Sequence, residues 1–513
     1  MKKLLAVLLT LMLPMYGLAE ETAPEATLTT ITFRDFDAKK LPDAGIDEAT
    51  ENAIRDVLDA LRVEIYQQGT SASYEVFLNE QSLVDFALQL DGADIYVGSN
   101  LTDAAKHLNL EEDMEHLAAL IGERNIARRS WLTDEKKAQK LDAYCATIAP
   151  NYVAAGKLLA NITKNPLIAN HMTTLEILAS LYEVDFTRIQ QRLDYYLPSM
   201  PFDLVRADEQ PEGCDPARRV HHFTMTNEQL VNSLSAVLET AMDVPTVKDY
   251  ADYLFNYQLL MKFMAANGDK DVLPEETDVL SWLRQQTLMP GDAQVTMYTS
   301  QAGAIVKLTA TCEYADDVEA THTRTLTYNM NTLEDSIRGE WTLETEDGTS
   351  RGSLTTYATG LIELVVEPDE QMQQTIQFST SPMDNGVSVY VASRTVNKEQ
   401  STDNGWELNL NLTAVDGQMQ QDAEIHIINK GERFLTLDAK TRPCESRPLL
   451  SDGDVLDLGE ISSARFNAYM LTLATSISQI LPRILMNLPN SVRQLMDGTT
   501  TLPSSTIILD NAN

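Results

Sequence analysis

The chain of 513 residues is poor in positive charge: 39 Lys and Arg stand against 76 Asp and Glu, a formal net charge of -37. A surface of that sign repels phosphate backbones and anionic lipid headgroups, which nucleic-acid and surface-bound proteins meet with Lys and Arg, so nucleic acid is not an expected partner. The acids are scattered rather than blocked, as on a solubilising surface. Long apolar runs are missing too. The stretch Leu4 to Tyr16 is broken by Pro14 and falls short of the ~20 residues that a spanning helix needs. Only four cysteines occur, and the seven histidines form one adjacent pair, His221-His222, with no H-E-x-x-H string. Dispersed histidines give zinc chemistry no starting point.

What is there begins with Met1-Lys2-Lys3, the apolar run, and the small residues Gly17 and Ala19 before Glu20-Glu21. That order is the form of a cleavable export signal. The expectation is cleavage near Ala19 and a secreted or periplasmic mature chain with no transmembrane anchor and no cysteine for lipid attachment at the cleavage point. Leu502-Pro503-Ser504-Ser505-Thr506 lacks the glycine and apolar tail of a sorting signal. In an oxidising compartment Cys145, Cys214, Cys312 and Cys444 become disulfide candidates. Cys145 with Cys214 and Cys312 with Cys444 is the favoured pairing, because the first two lie in a helix-rich half and the last two bracket a strand-rich stretch. Each bridge would contribute about 4 kcal/mol.

Hydrophobic periodicity divides the chain into a signal peptide (1–19), a strand-helix-hairpin unit (20–99), a helical segment (100–215), a strand followed by helices (216–290), an antiparallel sheet with C-terminal helices (291–498) and a tail (499–513). Residues 28–34 read as a strand. Ile54, Leu58, Leu61 and Ile65 predict one helix over 47–67, and three strands follow at 73–78, 83–90 and 93–97, with Asp91-Gly92 as a hairpin turn. Thr226-Asn227-Glu228-Gln229 fits a capping box opening a helix, with further helices at about 247–266 and 275–288.

From about 294 to 442 the period becomes two. Val306, Leu308, Ala310, Cys312 and Tyr314 alternate with polar residues, as do Trp406, Leu408, Leu410 and Leu412. Turn signals at Asp347-Gly348, Asn385-Gly386, Asn404-Gly405, Asp416-Gly417 and Lys430-Gly431 give about ten strands. A one-sided sheet must cover its apolar face. The predicted cover is 462–488, where Phe466, Met470, Leu473, Ile477, Ile480, Leu481, Ile484 and Leu485 form a helical stripe with only Arg465 and Arg483 charged and a kink or break at Pro482. The fold class is therefore α+β: a helix-rich N-terminal half and a large antiparallel β-meander covered on one face by apolar C-terminal helices.

Chemical motifs fail on context. Gly348-Thr349-Ser350-Arg351-Gly352 matches G-x-S-x-G, yet no helix follows to make a nucleophile elbow, and a hairpin is expected. His221 and His222 in an extended segment point to opposite faces. Asn267-Gly268-Asp269-Lys270-Asp271 begins like a calcium loop but has Val272 where glycine is required. Trp341, Trp406, Tyr314, Tyr328 and Tyr390 could be imagined as a sugar platform, but alternation places several of them on the apolar face, where they pack. No cofactor, metal or catalytic residue is assigned.

In architecture, the sheet of residues 291–498 with apolar helices against it is similar to periplasmic lipoprotein carriers and related lipid-binding shells. That resemblance implies a hydrophobic ligand held between sheet and helix. Its candidate lining is Val306, Leu308, Leu408, Leu410, Phe466, Met470, Leu473 and Ile477. The leading expectation is an exported, non-catalytic protein binding a hydrophobic small molecule, a lipid or an envelope protein. The alternatives are a secreted glycosidic hydrolase using two carboxylates, and an adhesive surface module, for which an exposed apolar patch would be the sign.

Overall fold

Alternation at period two produces strands wherever it occurs, and the computed structural model joins all of them into one twenty-stranded sheet. It describes residues 26–37, 47–129, 133–169, 201–266, 268–274, 278–315, 321–415, 418–450 and 455–493, with scattered positions between 180 and 192. The predicted signal peptide and tail, Asn267 and the Asp416-Gly417 turn lie outside the described residues.

β1 (Ala26–Arg34) precedes helix α1 (Glu48–Ala60), which Asp47 caps by accepting a 2.7 Å hydrogen bond from the Thr50 amide. The chain then runs as β2 (Leu61–Gln68), β3 (Ser71–Leu78), β4 (Gln81–Asp91), β5 (Asp94–Ser99) and β6 (Thr102–Asn109). The single helix expected over 47–67 therefore ends at Ala60. Leu61, Val63 and Ile65 recur every second residue, and this strand pattern prevails over the four-residue spacing of Leu61 and Ile65. Residues 102–109, expected within the helical segment, are a strand as well.

Helices α2 (Met114–Arg129) and α3 (Glu135–Thr163) follow, then β7 (Phe202–Leu204) and β8 (Arg219–Met225). Thr226 and Gln229 make the predicted capping box at the start of α4 (Asn227–Ala241), and α5 (Pro245–Ala265) and α6 (Val279–Arg284) complete this part.

The meander contains β9 (Ala293–Thr299), β10 (Ile305–Ala315), β11 (Thr321–Thr332), β12 (Ser336–Thr345), β13 (Gly348–Tyr357), β14 (Ile362–Glu367), β15 (Met372–Met383), β16 (Gly386–Asn397), β17 (Thr402–Val415), β18 (Gln418–Asn429) and β19 (Glu432–Cys444). Asn404-Gly405 lies inside β17 rather than at a turn. A Cβ on Gly405 would collide with the Ser393 carbonyl of the neighbouring strand, so this glycine serves close approach. The strand β20 (Leu456–Asp457) and helix α7 (Ser463–Asn487) end the described chain, and α7 runs through Pro482 without a break.

Every ladder from β7 to β19 joins consecutive strands. β1 then lies between β19 and β2, and β2 to β6 follow in order to β20, which pairs parallel to β6. All other ladders are antiparallel. The largest core cluster sits on one face at the centre, with Leu410, Leu412, Ile425, Leu437, Ile31 and Ile65 buried.

Two expectations are corrected here. The apolar stripe of α7 does not lie over the meander: Phe466 is buried against Leu120 and Ile461, with Leu117, Tyr469 and Met470 around them, so the helix docks on α2, β4 and β6. The four cysteines are all free. Cys145 is in α3 and Cys214 in the loop before β8, while Cys312 on β10 and Cys444 on β19 are separated by nine ladder steps of about 4.8 Å each.

Ile425→Ala on β18 should cost about 2–5 kcal/mol, whereas Ile376→Ala, on the same sheet face but exposed, should change stability by no more than about 0.5 kcal/mol. Urea midpoints at unchanged slope measure both; equal losses would contradict the burial difference between centre and flank.

Candidate functional site

Directly paired residues of neighbouring strands share a face, so the registers trace the apolar side chains across the sheet. One row runs Ile337, Thr356, Ile362, Phe378, Val391, Leu408, Ile425 and Leu437, from β12 to β19. It is open at one end and sealed at the other: Ile337 is 52% exposed and Ile362 38%, while Ile425 and Leu437 are each 2% exposed. The neighbouring rows add Leu326, Leu343, Leu354 and Ile376, also exposed. Strands β11 to β15 thus present an uncovered apolar surface continuous with the core. Five strands span roughly 20 Å at this spacing.

Two aromatic side chains flatten that surface. The Trp341 ring lies across Gly352 on the facing strand, and the Tyr328 hydroxyl end lies over Gly339, each occupying the space a Cβ would need. Both aromatics are half-buried by this contact. On the same face, Arg324 grips Glu346 through two hydrogen bonds of 2.6 and 3.2 Å and stands over the Tyr314 ring, making a polar rim beside Leu326. Arg324 and the Tyr314 hydroxyl hold the Glu346 carboxyl down to about 2, so it stays ionised.

The predicted lining residues separate. Leu308, Leu408 and Leu410 lie on this face, Leu410 in the sealed centre. Val306 shares the face but is covered by Val205 and Ala217. Phe466, Met470 and Leu473 are on α7, away from the meander, and Ile477 is 52% exposed. Of the suggested sugar-platform aromatics, Tyr314, Tyr328, Trp341 and Trp406 share the apolar face and Tyr390 does not. His221 and His222 occupy opposite faces; His222 is 3.2 Å from the Thr296 hydroxyl. Ser350, within the G-x-S-x-G string, donates a 2.8 Å hydrogen bond to the Pro368 carbonyl from the β12–β13 hairpin.

No family model, curated sequence or solved structure matches the chain. The functional reading therefore rests on this chain's own geometry.

A second apolar feature is an open groove of about 1030 Å³ between α5 and α6, lined in part by Leu254, Phe255, Leu259, Leu273 and Trp282. Among the described residues no helix is long and apolar enough to cross a membrane.

A polar cluster was not legible in the sequence. His107 on β6 lies between two carboxylates, with Nε2 2.9 Å from Asp94 on β5 and Nδ1 3.2 Å from Asp457 on β20. The ring also lies against Tyr96, tilted by 33° with the centroids 4.9 Å apart. Asn109 donates to Asp94 and, through its amide, to Asp113; the Gly459 amide donates to Asp457. Ligand atoms of His107, Asp113 and Asp457 lie within 4.8 Å of one another, close enough to share a divalent ion. Both ring nitrogens already face carboxylates, so the arrangement as it stands is an ion-paired clasp. Its partners are 350 residues apart in sequence, beyond any spacing motif.

Partial burial alone would lower the His107 pKa, but the bonds to Asp94 and Asp457 outweigh it and raise the pKa above the ordinary 6.5. Asp94 is held below 3.8 chiefly by His107. For Asp457 burial opposes, yet the Gly459 amide and His107 still lower it. A raised histidine contributes stability that is fully present below its unfolded value and lost as pH rises through its folded one; the lowered carboxylates contribute above their unfolded value. The clasp is thus strongest from about pH 4 to 6.5. His107→Gln should lower the melting temperature more at about pH 5.5 than at about pH 9, as scanning calorimetry would read; an equal loss at both would contradict the clasp.

Proposed function

We propose that this chain is an exported, non-catalytic binding protein whose open sheet face takes an elongated hydrophobic ligand with a polar end, such as a lipid acyl chain and its headgroup. The observation that carries this reading is the row from Ile337 to Leu437, which begins in solvent and ends in the core. Exposed contiguous apolar surface of this kind marks interaction sites. The apolar floor supplies the hydrophobic contact, and the Arg324–Glu346–Tyr314 rim supplies the few polar groups that orient an amphiphile. The start of the sequence supports export. The ligand position differs from the one expected from the sequence, since the cover helix sits elsewhere and the floor lies on β11 to β15.

The test is displacement of a fluorescent fatty-acid analogue from the purified chain. Leu354→Asp with Ile376→Asp, both at exposed positions, should weaken binding at least about tenfold, because each buries a charge against the ligand. Leu254→Asp, in the groove between α5 and α6, should leave it unchanged. No uptake by the wild-type chain, or loss only in the groove variant, would refute the reading. Self-association abolished by the sheet variants would instead assign the face to adhesion.

A further inference from the structure

Helix α7 breaks the charge rule of the chain that carries it. From Ile461 to Arg493 there is no carboxylate side chain, in a sequence with 76 acidic residues, while Arg465, Arg483 and Arg493 all fall in this stretch. Arg493 folds back on the Leu488 carbonyl at the helix end. Arg465 and Arg483 are exposed and in no ion pair among the described residues, although most arginines elsewhere in this acid-rich chain find a carboxylate. Eighteen residues are five helical turns, so these two cations stand on one line along the helix, about 27 Å apart.

The rest of α7 carries no charge: its inner side is apolar and its outer side mixes exposed apolar residues with Asn, Thr, Ser and Gln. Its inner side is fixed to the protein at both ends: Phe466 is buried against Leu120, the Tyr469 ring faces the Lys106 ammonium, and the Asn487 carbonyl accepts a 2.6 Å hydrogen bond from Asn79. Its outer side carries Leu471, 69% exposed, Met486, 67% exposed, and Leu485, interspersed with exposed but uncharged Asn467, Thr472, Thr475, Ser478 and Gln479. A surface helix normally turns charged residues of both signs to solvent, whereas this one turns out large apolar residues, uncharged polar ones and two arginines.

We infer that the outer face of α7 is a docking surface for an anionic lipid membrane. Exposed Leu and Met would enter the headgroup boundary while Arg465 and Arg483, at the flank, meet lipid phosphates, the division of labour of an interfacial helix. Charge complementarity selects this occupant: the rest of the protein is acidic, and these unpaired arginines attract the opposite sign. The acidic body opposes approach, but beyond a Debye length of about 8 Å its charges are screened, so the groups at the contact decide. A second copy is disfavoured, because antiparallel pairing of this face would set Arg465 against Arg483. The inference is independent of the ligand proposed for the sheet face.

Co-sedimentation of the full chain with phosphatidylglycerol vesicles, against phosphatidylcholine vesicles, tests it. Binding should favour phosphatidylglycerol and weaken with salt. Leu471→Asp with Met486→Asp should reduce it at least about tenfold, and Arg465→Gln with Arg483→Gln should remove the preference for the anionic lipid. Leu354→Asp with Ile376→Asp should sediment like wild type, which separates this outcome from loss of the sheet ligand. No binding to either vesicle, retention in the Leu471/Met486 variant, or a dimer in sedimentation velocity that this variant abolishes would overturn the inference.

Discussion

The fold depends on one strand being paired on both sides. β1 bonds to β19 from Ala26↔Cys444 to Arg34↔Thr436, and to β2 from Thr27↔Gln67 to Thr32↔Arg62. Arg34 adds a 2.6 Å contact to Asp438 on the polar face. Without β1, β2 and β19 would become long open edges, the feature that promotes unwanted strand pairing. Ile31 on β1 belongs to the same buried cluster as Ile425 and Leu437, so this pairing also completes the core. The contact is highly non-local, and its entropy of closure must be met before the sheet centre gains its burial.

Local chemistry made much of the sheet legible. The meander was visible from Val306 to Tyr314 and from Trp406 to Leu412, because a period-two pattern and Gly-containing turns report the strand directly. The capping box at Thr226 and the hairpin at Gly348 were legible for the same reason. Residues 61–68 were misread because Leu61 and Ile65 satisfy a four-residue spacing as well as a two-residue one. The destination of α7 was hidden for a different reason: an apolar stripe says that a helix is docked, not where, and the partner Leu120 is specified only by the three-dimensional path of the chain.

The same distinction applies to the sites. Alternation correctly assigned Leu308, Leu408 and Leu410 to one face, but a face that is apolar throughout carries no sequence mark separating its sealed part from its open part. That boundary is set by neighbours in space, such as Val205 and Ala217 over Val306. The His107 clasp is harder still, since its two carboxylates come from β5 and β20, far apart in sequence. It fastens β20, and with it the segment leading into α7, to the sheet end; the ion pairs and the apolar contacts of Phe466 therefore hold the same element.

The ends of the sheet give the open face its meaning. β7 has three residues, with Arg219 of β8 over the Phe202 ring, and β20 has two residues in a parallel pairing. Very short edge strands are a device against edge-to-edge association. Uncovered Leu326, Leu343 and Leu354 work against that same solubility, since each leaves apolar area in water at about 25 cal/mol per Å². A chain that blunts both edges and keeps a strongly acidic surface, yet leaves one broad sheet face apolar, combines features that oppose one another in solubility, and that opposition is what the proposed binding role rests on.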